Sequence, residues 1–471
     1  GGARVGRGAL VEGDAGVGAW GVVGGGLIEG DAGIARKHAD VGGCLPGALI
    51  AAASKRPNHD QTDRQPSDSA HTAMLARCGA LVQASSAAAP DARRPGLMAS
   101  SRFSQRIVRW VGAIVLVAGA ARANGRFPNA QQVVVGPGAA SDVIALRTTF
   151  GLVVSRDGGR RFQWVCEAAL FDPFPVSKTP DPAIAVTARG AVLYGFEWGV
   201  RALEACGLED ATGVGEATVV DLATDPAGET VWAVEGVPGE RNAVLRAPTD
   251  TLRFERLGVP PEPTLWLTLD VAPSRTSRLY LTGSSERTGA PVFYRSDDGG
   301  RTLVALRALP STADSAFVSA VDPRDPEVLY VRTLEGLSSA LYRSADGGTT
   351  LQPVLRFTGT MDGFALDATG QTVWVGGPAD GLHRSDDGGR TFTQISPRGV
   401  FCLHHRAGAL YACADWVTGE FALGRSTDGG GRFETVLRFE SVDGAVACGP
   451  SQRAGCDAQW PTFAQFFQRR D

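Results

Sequence analysis

Ten residues from Tyr294 to Leu303, YRSDDGGRTL, return almost letter for letter from His383 to Phe392 as HRSDDGGRTF. Three further stretches keep the same frame, so S-x-D-G-G is written five times. The copies are Ser155, Asp157 and Gly159; Ser296, Asp298 and Gly300; Ser344, Asp346 and Gly348; Ser385, Asp387 and Gly389; and Ser426, Asp428 and Gly430. A large apolar residue stands seven places after each serine: Phe162, Leu303, Leu351, Phe392 and Phe433. Two worn copies complete the series, one with Ala247 at the serine place and Phe254 seven residues on, the other at Leu203 in GVRALEACG. The seven starting points, 155, 203, 247, 296, 344, 385 and 426, lie 41 to 49 residues apart. A period of about 20 to 50 residues marks a stacked repeat architecture.

The residue types say what each copy does. Aspartate accepts backbone N–H bonds inside a turn, and serine does so more weakly. Paired glycines permit the positive φ that tight hairpins require. Each copy follows one short apolar run (VFYRS, ALYRS, GLHRS) and precedes another, so it joins two antiparallel strands. Two more strands fit in every period, such as AFVSAV (Ala316 to Val321) and EVLYVRTL (Glu327 to Leu334). The second of these recurs as AVLYGF, TVWAVE, RLYLTG, TVWVGG and ALYACA. Four short strands per period form a propeller blade. The expected fold is therefore all-β, a seven-bladed β-propeller of four-stranded antiparallel blades over residues 124–440.

The S-x-D-x-G-x-T-[FW] pattern resembles the Asp-box, or BNR, repeat family, whose members include sialidases, sortilin-type receptors and lumenal photosystem II assembly factors. The resemblance covers most of residues 124–440. It implies a propeller with the Asp boxes on the outer rim, away from the ligand funnel, and it implies no single activity, since hydrolases, receptors and assembly factors share the repeat.

The remaining sequence reads differently. Residues 1–97 are glycine-rich and then alanine-rich without a sustained period, which points to a non-domain or upstream segment. Residues 98–123 have the layout of a secretory signal: Arg102, Arg106 and Arg109, the apolar run Val111 to Ala120, and Ala121-Arg122-Ala123 before Asn124. That run is too short to span a bilayer. The expected protein is exported, periplasmic or extracellular, with no membrane span in its mature form. Export recasts the cysteines. Cys44 and Cys78 fall in the leader, and six remain: Cys166, Cys206, Cys402, Cys413, Cys448 and Cys456. An even number in an exported chain favours disulfides. A two-residue turn at Ala407-Gly408 would set Cys402 opposite Cys413. CGPSQRAGC, Cys448 to Cys456, reads as a loop a bridge could close, which leaves Cys166 with Cys206 by elimination. Residues 441–471 are expected to hold that loop and a short helix in WPTFAQFFQRR.

A catalytic constellation is hard to find. A glycosidase needs two carboxyl groups in different environments, whereas Asp157, Asp298, Asp346, Asp387 and Asp428 occupy equivalent places. Arg126-Phe127-Pro128 only partly echoes the F-R-I-P stretch of sialidases. Arg246, Arg295, Arg343, Arg384 and Arg425 each precede the serine place, and Tyr194, Tyr280, Tyr330 and Tyr411 all lie on second strands, so both sets read as repeat positions. His383, His404 and His405 suggest no metal site, because adjacent strand residues face opposite sides. No cofactor is expected. A net charge of −4 and singly scattered arginines argue against nucleic acid. The irregular loops of the rim opposite the turns offer two aromatic–acid pairs, Glu197-Trp198 and Asp415-Trp416, as ligand-contact candidates. Packing of both tryptophans against neighbouring blades is the competing reading. The expected function is binding by a monomer to a protein or glycan outside the cytoplasm; the alternative is a sialidase-like glycoside hydrolase with acids on the funnel-facing first strands.

Overall fold

The structure, a computed structural model, describes residues 127–172, 182–204, 207–215, 217–417, 421–446 and 450–468. Residues 1–97, the signal-like segment 98–123, Cys206 and Cys448 lie outside them. Among the described residues the strands form seven four-stranded sheets, each an antiparallel meander of consecutive strands. First strands run Ala130–Val135, Ile184–Val186, Val219–Thr224, Thr264–Val271, Ser315–Val321, Gly363–Leu366 and Val400–Arg406. Each packs on the next, and the last packs on the first, so the sheets close into a ring. The fold is a seven-bladed β-propeller. All seven sequence registers fall within the last two residues of a third strand, at Ser155, Leu203, Ala247, Ser296, Ser344, Ser385 and Ser426.

The recurrent turns are built alike. In all five, the serine Oγ donates to the aspartate Oδ1 at 2.7–2.9 Å and accepts from the second glycine's N–H at 2.8–2.9 Å. The same Oδ1 accepts the backbone N–H four residues on, at 2.9–3.0 Å. The turns also mortar neighbouring blades. Trp232 Nε1 donates to Gly299 O, Arg295 to Gly347 O, Tyr330 Oη and Arg343 to Gly388 O, and Trp374 Nε1 to Gly429 O. In blades 5 and 6 the arginine before the serine and the second-strand aromatic facing it thus reach one carbonyl in the next blade's turn, Gly388 O for Tyr330 and Arg343 and Gly429 O for Trp374 and Arg384. Tyr194 departs from this set. It faces Arg201 rather than the residue before the serine place, so it points to the other face and donates to Leu170 O at 2.7 Å.

At the seam between blades 7 and 1, Tyr411 and Arg425 make no matching bond to the first turn among the described residues. Closure falls instead to the C-terminal segment. Residues 443–446 pair in parallel with the fourth strand of blade 1, through Trp164 N–H to Gly444 O and Val446 N–H to Trp164 O, both 2.8 Å. Helix α1 (Glu167–Phe171) follows that strand, and helix α2 (Pro450–Gln468) packs against it. The disulfide Cys166–Cys456 ties them together. This corrects two expected pairings, Cys166 with Cys206 and Cys448 with Cys456. The supposed CGPSQRAGC loop is largely the first turns of α2, which begins at Pro450, where a missing N–H costs nothing. The helix expected in WPTFAQFFQRR therefore starts ten residues earlier than that segment, and Pro461 lies inside it. The hairpin pairing is as expected: Cys402 faces Cys413 and is bonded to it, across a turn in which Ala407 and Gly408 both have positive φ.

Candidate functional site

Strand register allows the blades to be superposed residue by residue. The aromatics Trp232, Tyr280, Tyr330, Trp374 and Tyr411 all face the arginine before the serine place. One strand inward, their partners are Ala223, Asp270, Ala320, Ala365 and His404. In blades 1 and 2 the same place is held by Val134 and Ala185. Five of the seven positions around the axis are therefore small or apolar, and two are not. Asp270 and His404 break the equivalence, and a unique residue in a repeated layer is where a unique role can reside.

These two side chains line one axial cavity of about 40 Å³, with Val134, Ala185 and Ala223 from the same layer and Asp225 and Arg406 beyond it. Both are sealed from solvent, Asp270 at 2% exposure and His404 at 4%. Asp270 Oδ1 accepts from the Val271 N–H at 2.9 Å, while Oδ2 has no hydrogen-bond partner. Neither ring nitrogen of His404 has one. Burial pushes the Asp270 carboxyl up to about 8, against the pull of the Val271 amide bonded to Oδ1 and of the Val321 amide, which lies outside hydrogen-bond geometry. Burial, Arg406 and His405 bring the imidazole down to about 3. At neutral pH the acid holds its proton and the base is uncharged. Asp221, on the first strand of blade 3, is also fully buried. Its oxygens accept from Leu222 N–H at 2.9 Å and Leu269 N–H at 2.8 Å. Burial, opposed by those amides, and the nearby Asp270 hold it well above the ordinary range.

The turn aspartates are the electrostatic opposite. Backbone and side-chain bonds from Thr391 and the Ser385 hydroxyl hold Asp387 far below the usual carboxylate range. The backbone N–H of Arg161 does this for Asp157, and that of Arg432 for Asp428. In Asp298 and Asp346 desolvation pushes upward and the turn's hydrogen bonds outweigh it. Such carboxylates are permanently ionised acceptors, unsuited to carrying a proton.

The other sequence candidates divide. Glu197 and Trp198 form the turn between the second and third strands of blade 2. Both are partly exposed, and Trp198 rests on Phe196 with ring centroids 6.0 Å apart. Asp415 Oδ1 accepts from Val417 N–H at 2.9 Å. Trp416 is 5% exposed; it stacks on Phe127, meets Phe439 and Phe467 edge-on, and donates to Pro128 O at 2.6 Å. Its place is in the aromatic cluster beneath α2. The pairs belong to blades 2 and 7, with blade 1 between them. His405 stacks on Trp374 at 5.1 Å, away from His404. The layer of Asp270 and His404 escaped the sequence reading because first strands carry bulges, at Trp266/Thr268 and Val400/Cys402 among others. One extra residue hides the alignment.

No family model matches the chain, and no curated protein matches it either. Among solved structures it is similar to the GH74 xyloglucanase from Xanthomonas campestris, with 15% identity over 65% of this chain and 58% of that one, at a TM-score of 0.36. Similarity to Kuenenia stuttgartiensis hydrazine synthase runs to 11% identity over 65% and 97% of the two chains, at 0.47. To YCF48 bound to D1 peptide it is 13% over 47% and 67%, at 0.33.

Proposed function

We propose that this chain is an exported Asp-box-type propeller that acts by binding, as a recognition or scaffold module for a protein or surface glycan outside the cytoplasm. One observation carries the reading. The carboxyl groups that approach each other on the first strands, Asp221 and Asp270, are sealed, and the cavity beside Asp270 has room for a few water molecules. A sugar ring cannot reach them, and the turn aspartates lie on the outer edge with each carboxylate engaged by its own turn. The two disulfides support an oxidising compartment, in keeping with the signal-like segment at 98–123. The partly exposed Glu197 and Trp198, on the rim opposite the turns, are the side chains we assign to partner contact.

The second reading, a glycoside hydrolase, is favoured by one fact: Asp221 and Asp270 lie on neighbouring first strands, and Asp270 adds to the cost of ionising Asp221. A single experiment separates the two. The chain starting at Asn124 is assayed against aryl glycosides and polysaccharides and, in parallel, on a glycan array and by pull-down from envelope extracts. Saturable binding weakened by Trp198→Ala, without turnover, supports the binding module. Turnover abolished by Asp270→Asn establishes the hydrolase.

A further inference from the structure

Five of the seven positions in the axial layer are Ala or Val, so a dry core is available to this fold at that level, and the chain departs from it twice. A buried polar atom without a partner costs about 1–3 kcal/mol, and here three such atoms, Asp270 Oδ2 and both nitrogens of His404, belong to residues lining one cavity. The cavity measures about 40 Å³, and each water needs about 10–15 Å³ of such space, so it admits about three. The groups around it are complementary to water. A protonated carboxyl offers a donor and an acceptor, a neutral imidazole offers one of each, and Arg406 and Asp225 at the cavity balance in charge. A metal ion is poorly served, with two candidate ligands and a guanidinium beside them.

We propose that the axial cavity is a built hydration site in which a cluster of two or three ordered waters bridges Asp270 of blade 4 to His404 of blade 7. Blades 5 and 6 lie between these residues on one side of the ring and blades 1, 2 and 3 on the other, so the cluster pins first strands that are not neighbours. This inference is independent of the proposed function.

The test has two arms on the full mature chain. A crystal structure at about 1.2 Å resolution should show two or three water peaks within hydrogen-bond distance of Asp270 Oδ2 and a His404 nitrogen. In solution, oxygen-17 relaxation dispersion should count long-lived waters, and two or three of them should vanish in Asp270→Ala/His404→Ala, which installs the alanine that blades 2, 3, 5 and 6 already carry there. An empty cavity, or an unchanged count of long-lived waters, overturns the proposal. So does micromolar binding of Zn²⁺ or Cu²⁺ that His404→Ala removes, which would make the site a metal centre. If the double variant does not fold, the wild-type crystal structure decides.

Discussion

Serine, aspartate and glycine are required in the turns for separable reasons. Ser385 Oγ is buried and bonds Asp387 Oδ1 at 2.7 Å and Gly389 N–H at 2.9 Å. Ser385→Ala leaves that N–H without its partner and should lower stability by about 1–3 kcal/mol, read as a drop in urea midpoint at constant m-value. Gly389 has a φ of +72°, and a Cβ there would sit 2.4 Å from a ring carbon of Tyr330 in the preceding blade. Gly389→Ala combines left-handed backbone strain of about 1–2 kcal/mol with that clash. It should destabilise more than Ser385→Ala, and equal midpoints for the two variants would show that the turn is not wedged against its neighbour. The same wedge recurs where Gly348 meets Phe293, Gly300 meets Val244 and Gly159 meets Val436.

Helix α2 is the element that replaces strand exchange at the seam. Trp460 and Phe463 pack on Trp164, and Phe467 on Phe150, Phe439 and Trp416. Each ring pair is worth about 0.5–1.5 kcal/mol beyond its burial. The Cys166–Cys456 bond spans 290 residues of sequence, so in the chain-entropy account it restricts the unfolded chain strongly, by up to about 5 kcal/mol. The Cys402–Cys413 bond spans 11 and restricts it less, by about 3 kcal/mol. Replacing the first pair by serine should therefore lower the melting temperature more than replacing the second. It should also open the C-terminal segment to limited proteolysis while the blades resist. Equal losses from the two pairs would show that α2 does not close the ring.

The ring as a whole carries two populations of acid with opposite effects on stability. In the turns the folded carboxyls sit below their unfolded value of about 3.9, so they stabilise above that pH, and their contribution is lost as pH falls through the folded value. Asp270 is held up to about 8, and Asp221 and Asp362 are raised as well. A raised carboxyl favours folding below about 3.9, and that advantage is lost as pH rises toward 8, at up to about 1.4 kcal/mol per pH unit for each group. Stability should peak in mildly acidic solution and decline toward pH 8. Asp270→Asn should flatten that decline between pH 4 and 8 in urea titrations; an unaltered slope would mean that Asp270 is ionised and its surroundings are open to solvent.

The repeat made the number of blades, the strand order and the chemistry of the turns legible, because each follows from local rules: glycine for positive φ, aspartate for orphan amides, alternation for strands. The Cys402–Cys413 bond was legible for the same reason, since a two-residue turn sets its register. What the sequence left open depends on distance. The partner of Cys166 lies 290 residues away, Trp416 is enclosed by residues from both ends of the described chain, and Asp270 and His404 line one cavity only because bulged strands from separate blades of a closed ring are brought to one axis. Local propensity writes the blade, but closure of the ring determines which residues share its centre.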